Sequence, residues 1–266
     1  MQNIMKNTIY IILICLLFSS CSQDGTSLEP IAGGEVLSGS YANMLTLGNF
    51  LYVLGDGELK TFSLDDPGKP AIISEQSLNF EIESLFISGE QIFVGSQQSM
   101  FIYTIGNDGI PIFRSETTYN DFGEESCFSD PIAANSEYAY STLENNASVS
   151  FGGNCWRPGL DDQMRVYDIS NLDNPVHVNT VFMDAPKGIA LDGDILFVCE
   201  KEDGLTIFDV SMGTDPNEIY HFPGFSAFDL IPANGLLMVI GQDTLHQFDY
   251  TDLSNVFKIG SFELRD

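Results

Sequence analysis

The chain has 266 residues, enough for one large β domain or two ordinary ones, and 44% of them are apolar, which supports a sizeable core and argues against general disorder. Ten bases stand against 38 acids, a formal net charge of −28. A field of that sign repels phosphate backbones and excludes DNA or RNA as partners, and because the acids are scattered through turns they read as a solvated acidic surface.

In chain order, the first element is not part of a fold. Lys6 precedes an apolar run from Ile9 to Phe18, and two serines lead to Cys21. A run this short suits the core of a signal peptide rather than a membrane span. The ending "LFSSC" resembles a bacterial lipobox, with Phe18 where leucine is more usual. Residues 1–20 are therefore expected to be a lipoprotein signal peptide. Cys21 would be the lipidated residue and the membrane tether. Residues 21–34, rich in Gly and Ser, read as a flexible spacer, and 35–266 as the folded domain. This places the protein in the cell envelope, lipid-anchored at the outer membrane, on its periplasmic face or at the cell surface.

From Ser40 onward one unit recurs. Its copies contain "LKTFSLDDPGKPAII" at Leu59, "MFIYTIGNDGIPIF" at Met100, "MRVYDISNLDNPVHV" at Met164, "LTIFDVSMGTDPNEI" at Leu205 and "LHQFDYTDLSNVFKI" at Leu245. The aromatic anchors Phe62, Tyr103, Tyr167, Phe208 and Phe248 are spaced by 41, 64, 41 and 40 residues. An apolar strand precedes each anchor, for example "FLYVL" at Phe50 and "ILFVC" at Ile195. Before it comes a turn residue, Gly48, Gly89, Asn135, Gly193 or Asn234, of the kind that tolerates positive φ. A further apolar strand precedes that turn. Four short strands per repeat of this length are propeller blades, each of which needs neighbours to bury its two faces. The expected fold is all-β, a β-propeller of about five four-stranded blades. A closed ring is the simplest account and an open, partly closed array the alternative.

The stretches at Leu59, Met164 and Leu205 resemble LVIVD repeats, and "GIALDGDILFVCEKEDGLTIFDVS" resembles the LVIVD-repeat β-propeller lipoproteins of Gram-negative bacteria. The second unit lacks Asp after its aromatic and the fifth lacks the prolines. The resemblance implies a fold and a compartment; it brings no defined activity with it.

The third unit carries about 18 extra residues between its middle strand and its anchor, including the one tryptophan of the chain, Trp156. Long loops on rigid scaffolds often carry function. Cys127 precedes this unit and Cys155 lies in the insert. In an exported protein the pair is expected to form a disulfide that pins the insert back; free thiols or a metal pair are the alternatives. Cys199, in an apolar strand, reads as a buried small hydrophobe.

His177, His221 and His246 fall in three different units without metal-ligand spacing, so no metal site is assigned. There is no nucleophile elbow and no phosphate-cradling loop. "LDGD" at Leu191 and "EKEDG" at Glu200 resemble pieces of calcium loops and read more simply as acidic hairpin turns, so no cofactor is expected beyond weak Ca²⁺ binding. Aligning the units brings Asn43, Ser84, Asp130, Gly188 and Asp229 to one level, with Glu83 and Lys187 one residue earlier in their units. Glu83, Asp130, Lys187 and Asp229 are thus the candidate ligand-binding residues of a polar funnel mouth, with Trp156 as an aromatic anchor. The reading favoured is a non-enzymatic module that binds an envelope protein or a glycan. The alternative is a carbohydrate-active hydrolase or lyase working through two axial carboxylates.

Overall fold

A computed structural model describes residues 43–78, 82–96, 98–119, 128–129, 131–145 and 161–264. Every element in it is a strand. The first blade holds β1 (Met44–Leu47), β2 (Phe50–Gly55), β3 (Glu58–Ser63) and β4 (Ala71–Ser77). The second holds β5 (Ile82–Ser88), β6 (Gln91–Ser96), β7 (Ser99–Ile105) and β8 (Pro111–Thr118). The third holds β9 (Phe128–Ser129), β10 (Ile132–Ala134), β11 (Tyr138–Asn145), β12 (Gln163–Asp168) and β13 (Val176–Phe182). The fourth holds β14 (Ile189–Asp192), β15 (Ile195–Glu200), β16 (Gly204–Asp209) and β17 (Asn217–Phe222). The fifth holds β18 (Asp229–Ala233), β19 (Leu236–Ile240), β20 (Thr244–Asp249) and β21 (Phe257–Glu263). Each blade is an antiparallel meander in chain order, and in the third β9 pairs with the far end of β11. The expected four-stranded β-propeller blades are all present.

The repeat motif has a local cause. In every blade the register between the third and fourth strands slips at the aromatic anchor: at Phe62, Tyr103, Tyr167, Phe208 and Phe248. One extra residue on the fourth strand (Ile73, Arg114, Val178, Ile219 or Ile259) makes a β-bulge there, which bends and twists the outer edge of the blade. Directly after the anchor the chain turns. Asp168, Asp209 and Asp249 each accept a 2.9 Å hydrogen bond from the backbone N–H two residues on, at Ser170, Ser211 and Thr251. This Asx turn explains the Asp-x-Ser/Thr pattern. Side-chain hydrogen bonds from Ser170, Ser211 and Thr251, and after them these backbone bonds, hold the three carboxyls below their ordinary value. Of the five expected hairpin residues, Gly48, Gly89, Gly193 and Asn234 have φ between 54° and 57°. Asn135 works differently, its side-chain oxygen accepting from the N–H groups of Glu137 and Tyr138.

Four apolar clusters lie between consecutive blades. Leu45, Tyr52 and Leu59 meet Leu85 and Val94; Phe93 and Ile102 meet Ile132 and Tyr167; Tyr140 and Val166 meet Leu196 and Phe208; Phe197 and Ile207 meet Leu237 and Phe248. Among the described residues no cluster joins the fifth blade to the first. The burial of the second strands agrees: β6 and β15 are buried almost throughout, whereas β2 and β19 bury alternate residues only. A strand covered on both faces is buried continuously and one covered on a single face alternates. The described blades therefore form an open array, the alternative arrangement expected above, and not a ring closed by five blades. Closure requires a fixed rotation per blade, which no local signal encodes.

Candidate functional site

The charged residues of the third and fourth blades converge at one end of the array. It is the end at which β11 finishes and β12 begins, with the β15–β16 hairpin and the chain entering β14. The β15–β16 turn is tight: the Asp203 N–H donates to the Glu200 carbonyl at 2.6 Å, and Lys201 takes a φ of 39°.

Two networks meet there. In the first, Lys187, just before β14, forms an ion pair with Glu144 near the end of β11, and Lys201 approaches the other Glu144 oxygen at 3.8 Å. The Thr142 hydroxyl also donates to the Lys187 carbonyl at 2.7 Å. The Lys187 and Glu144 side chains are 14% and 7% exposed, so this link between blades is largely withdrawn from water. In the second, Glu200 accepts from the Thr206 hydroxyl and, at 3.2 Å, from the Asp184 N–H. His221 Nδ1 lies 2.9 Å from the Thr206 oxygen, and its Nε2 is 3.5 Å from Asp203. Burial raises the Glu200 carboxyl above its ordinary value, and the bonds from Thr206 and Asp184 and the nearby His221 work against that rise.

The second network forms one wall of a cleft of about 670 Å³ between the outer parts of the two blades. Asp161, Asp162, Asp184, Glu200, Asp203 and Glu218 line it with carboxylates, and Phe182, Met183 and Phe208 give it apolar surface. The combination attracts positive charge and offers a surface on which an aliphatic or aromatic stem can pack. Among the described residues no group of three or more His, Cys, Asp or Glu side chains is arranged to hold a metal ion.

Of the residues expected from sequence, Lys187 lies in the first network. Asp229 sits on the next blade, close enough to Cys199 that, after burial itself, its charge contributes to pushing that thiol up. Cys199 is fully buried with a free thiol. Glu83 lies in β5. Asp130, Trp156, Cys21 and the Cys127–Cys155 pair lie outside the described residues. The level assigned to Asp130 belongs to Pro131: Ile132 pairs with Ser141 as Met44 pairs with Val53 and Ile189 with Val198. The backbone repeats the point, since Thr142 N donates to Pro131 O as Leu54 N does to Asn43 O and Cys199 N to Gly188 O. Glu144 was not singled out, while His221 was read as an ordinary histidine and the run holding Glu200 and Asp203 as an acidic hairpin turn. The available signal was the charged run at Glu200 closing the apolar stretch "ILFVC", where a carboxylate follows Cys199 directly.

Comparison with known proteins agrees with this architecture. The LVIVD repeat model matches residues 186–222, the whole of the fourth blade. No curated protein sequence matches the chain. Among solved structures, a functionally unknown protein from Desulfotomaculum acetoxidans is 11% identical with a TM-score of 0.62, over 87% of this chain and 71% of that one. A protein from Lactobacillus plantarum is 13% identical with a TM-score of 0.60, over 80% and 67%. The periplasmic gluconolactonase PpgL of Pseudomonas aeruginosa is 15% identical with a TM-score of 0.58, over 82% and 68%. At these identities the likeness shows the β-propeller fold and nothing of activity.

Proposed function

We propose that the protein is an envelope lipoprotein, tethered through Cys21, whose blade array is a non-enzymatic binding module. Its ligand is a basic segment of a partner protein, received in the cleft between the third and fourth blades. The observation behind this reading is the cleft itself, where six carboxylates surround an apolar patch. A lysine or arginine side chain presents that combination in reverse, a cationic head on an apolar stem. Glu200 favours a second reading, a hydrolase, because a buried carboxyl with a raised pKa beside a histidine is also what a general acid needs.

Fluorescence anisotropy with a labelled tetralysine peptide tests the first reading. Asp184→Asn/Asp203→Asn should weaken binding at least tenfold, whereas Asp65→Asn/Asp66→Asn, which removes the same charge from an exposed turn of the first blade, should leave it nearly unchanged. Equal weakening by the two pairs means that only net charge is being read, and refutes the cleft. Turnover of a glycoside or lactone that is lost in Glu200→Gln would favour the second reading.

A further inference from the structure

The two ends of the array expose surfaces that the interior blades bury. Registers make the comparison residue by residue. In the fourth blade Ile189, Leu196, Val198 and Phe208 face the third blade, and all are at most 3% exposed. Their counterparts in the first blade are Met44, Leu51, Val53 and Phe62. Met44 is 61% exposed, and the other three are partly exposed. In the opposite direction Phe197, Cys199, Leu205 and Ile207 of the fourth blade face the fifth. Their counterparts are Met238, Ile240, Leu245 and Gln247. Ile240 is 41% exposed, and the other three are partly exposed. The exposed Ile72 and Phe262 extend the two surfaces, each directly opposite a residue of its own face, Phe62 and Leu245.

These are not two equivalent sticky patches. One is the rear face of a blade and the other is a front face. Among the described residues a front face packs on a rear face four times, once in each of the four clusters. The surface that fits the fifth blade's front face is therefore the first blade's rear face, and in this open array the two do not meet.

We propose that a second copy of this chain supplies the missing neighbour, the front face of the fifth blade of one copy packing on the rear face of the first blade of the next. Such an interface is heterologous. It gives a closed ring if two or more copies return to the start, and an extending array if they do not. Two copies of a chain with a net charge of −28 repel one another. Because the contact is apolar and the repulsion is between charges spread over the whole surface, association strengthens as salt screens it.

The test is sedimentation of the full chain at 0.15 M and 0.5 M salt, with two variants that place a charge on one face each, Val53→Glu and Met238→Glu. The expected result is a wild-type mass at least twice that of one chain, more complete at the higher salt, and a single-chain mass for each variant alone. A mixture of the two variants should recover a two-chain species, because Val53→Glu keeps its front face and Met238→Glu its rear face. Far-ultraviolet circular dichroism of each variant confirms that the blades remain folded. A wild type that stays a single chain at 100 µM in 0.5 M salt overturns the proposal. Association abolished by only one of the two charges shows like faces pairing and also overturns it, as does a mixture that stays at single-chain mass.

Discussion

Lys187→Met removes one half of a buried ion pair and leaves the other in place. Glu144 keeps a side chain only 7% exposed, and among the described residues Lys201 remains 3.8 Å from it. Breaking a buried pair by deleting one partner costs about 3–5 kcal/mol, because a desolvated charge is left behind. Lys187 retains some access to water and Lys201 can shift toward the vacated place, so the expected loss is lower, about 2–3 kcal/mol. For a domain of this size that lowers the melting temperature by about 5–10 °C. The companion variant, Lys187→Met with Glu144→Gln, removes both charges and should recover most of the loss, since a neutral pair of similar volume escapes the desolvation cost. The assay is thermal melting followed by circular dichroism for the wild type, both single variants and the double variant, analysed as a cycle. A Lys187→Met melting temperature within about 2 °C of wild type, with no coupling between the two sites, refutes the claim that this pair ties the third blade to the fourth.

Glu200 gives a pH signature. Its carboxyl is raised in the folded state from an ordinary 4.5, so the fold favours the protonated form. The stability it contributes is complete below pH 4.5 and is lost as pH rises from there through the folded value. The melting temperature of Glu200→Gln relative to wild type should therefore climb between pH 4 and pH 7; a difference that is flat or falls over that range contradicts it. The aromatic anchors test the open ends. Phe208→Ala empties a site between two blades and should cost about 3–5 kcal/mol, whereas Phe62→Ala, at the equivalent place on the uncovered rear face, should cost about 1 kcal/mol in dilute solution. Equal losses would mean that the first blade's rear face is covered.

The fold was legible because each blade repeats the same local physics. The anchors Phe62, Tyr103, Tyr167, Phe208 and Phe248 mark the bulges, and Asp168, Asp209 and Asp249 mark the turns that follow. These signals lie within a few residues of one another. The site was less legible because its partners are far apart in sequence. Lys187 stood out as the lone base of its level, but its partner Glu144 lies 43 residues upstream, beside the insert. Glu200 was read with the acidic turn that follows it, although as the last residue of β15 it points into the blade junction instead. In the third blade a displacement of one residue moved the assigned level from Pro131 to Asp130, because the shortened strand β10 gave no apolar alternation long enough to fix the register.

Closure was the least legible feature, and the reason bears on function. Leu51, Val53, Met238 and Ile240 are as apolar as Leu196, Val198, Phe197 and Cys199, so the sequence of an end blade looks like that of an interior one. Here the rear face of the first blade and the front face of the fifth have kept the chemistry of interior surfaces, although a chain so rich in acids had polar residues to place there. The cleft lies between the third and fourth blades, away from both ends. Binding there and association at the ends use separate surfaces, so a charge at Val53 or Met238 should change mass without changing peptide affinity, and Asp184→Asn/Asp203→Asn should do the reverse. If both pairs of variants changed both properties together, the cleft and the ends would belong to a single surface, and the separation of roles drawn from their places in the array would fail.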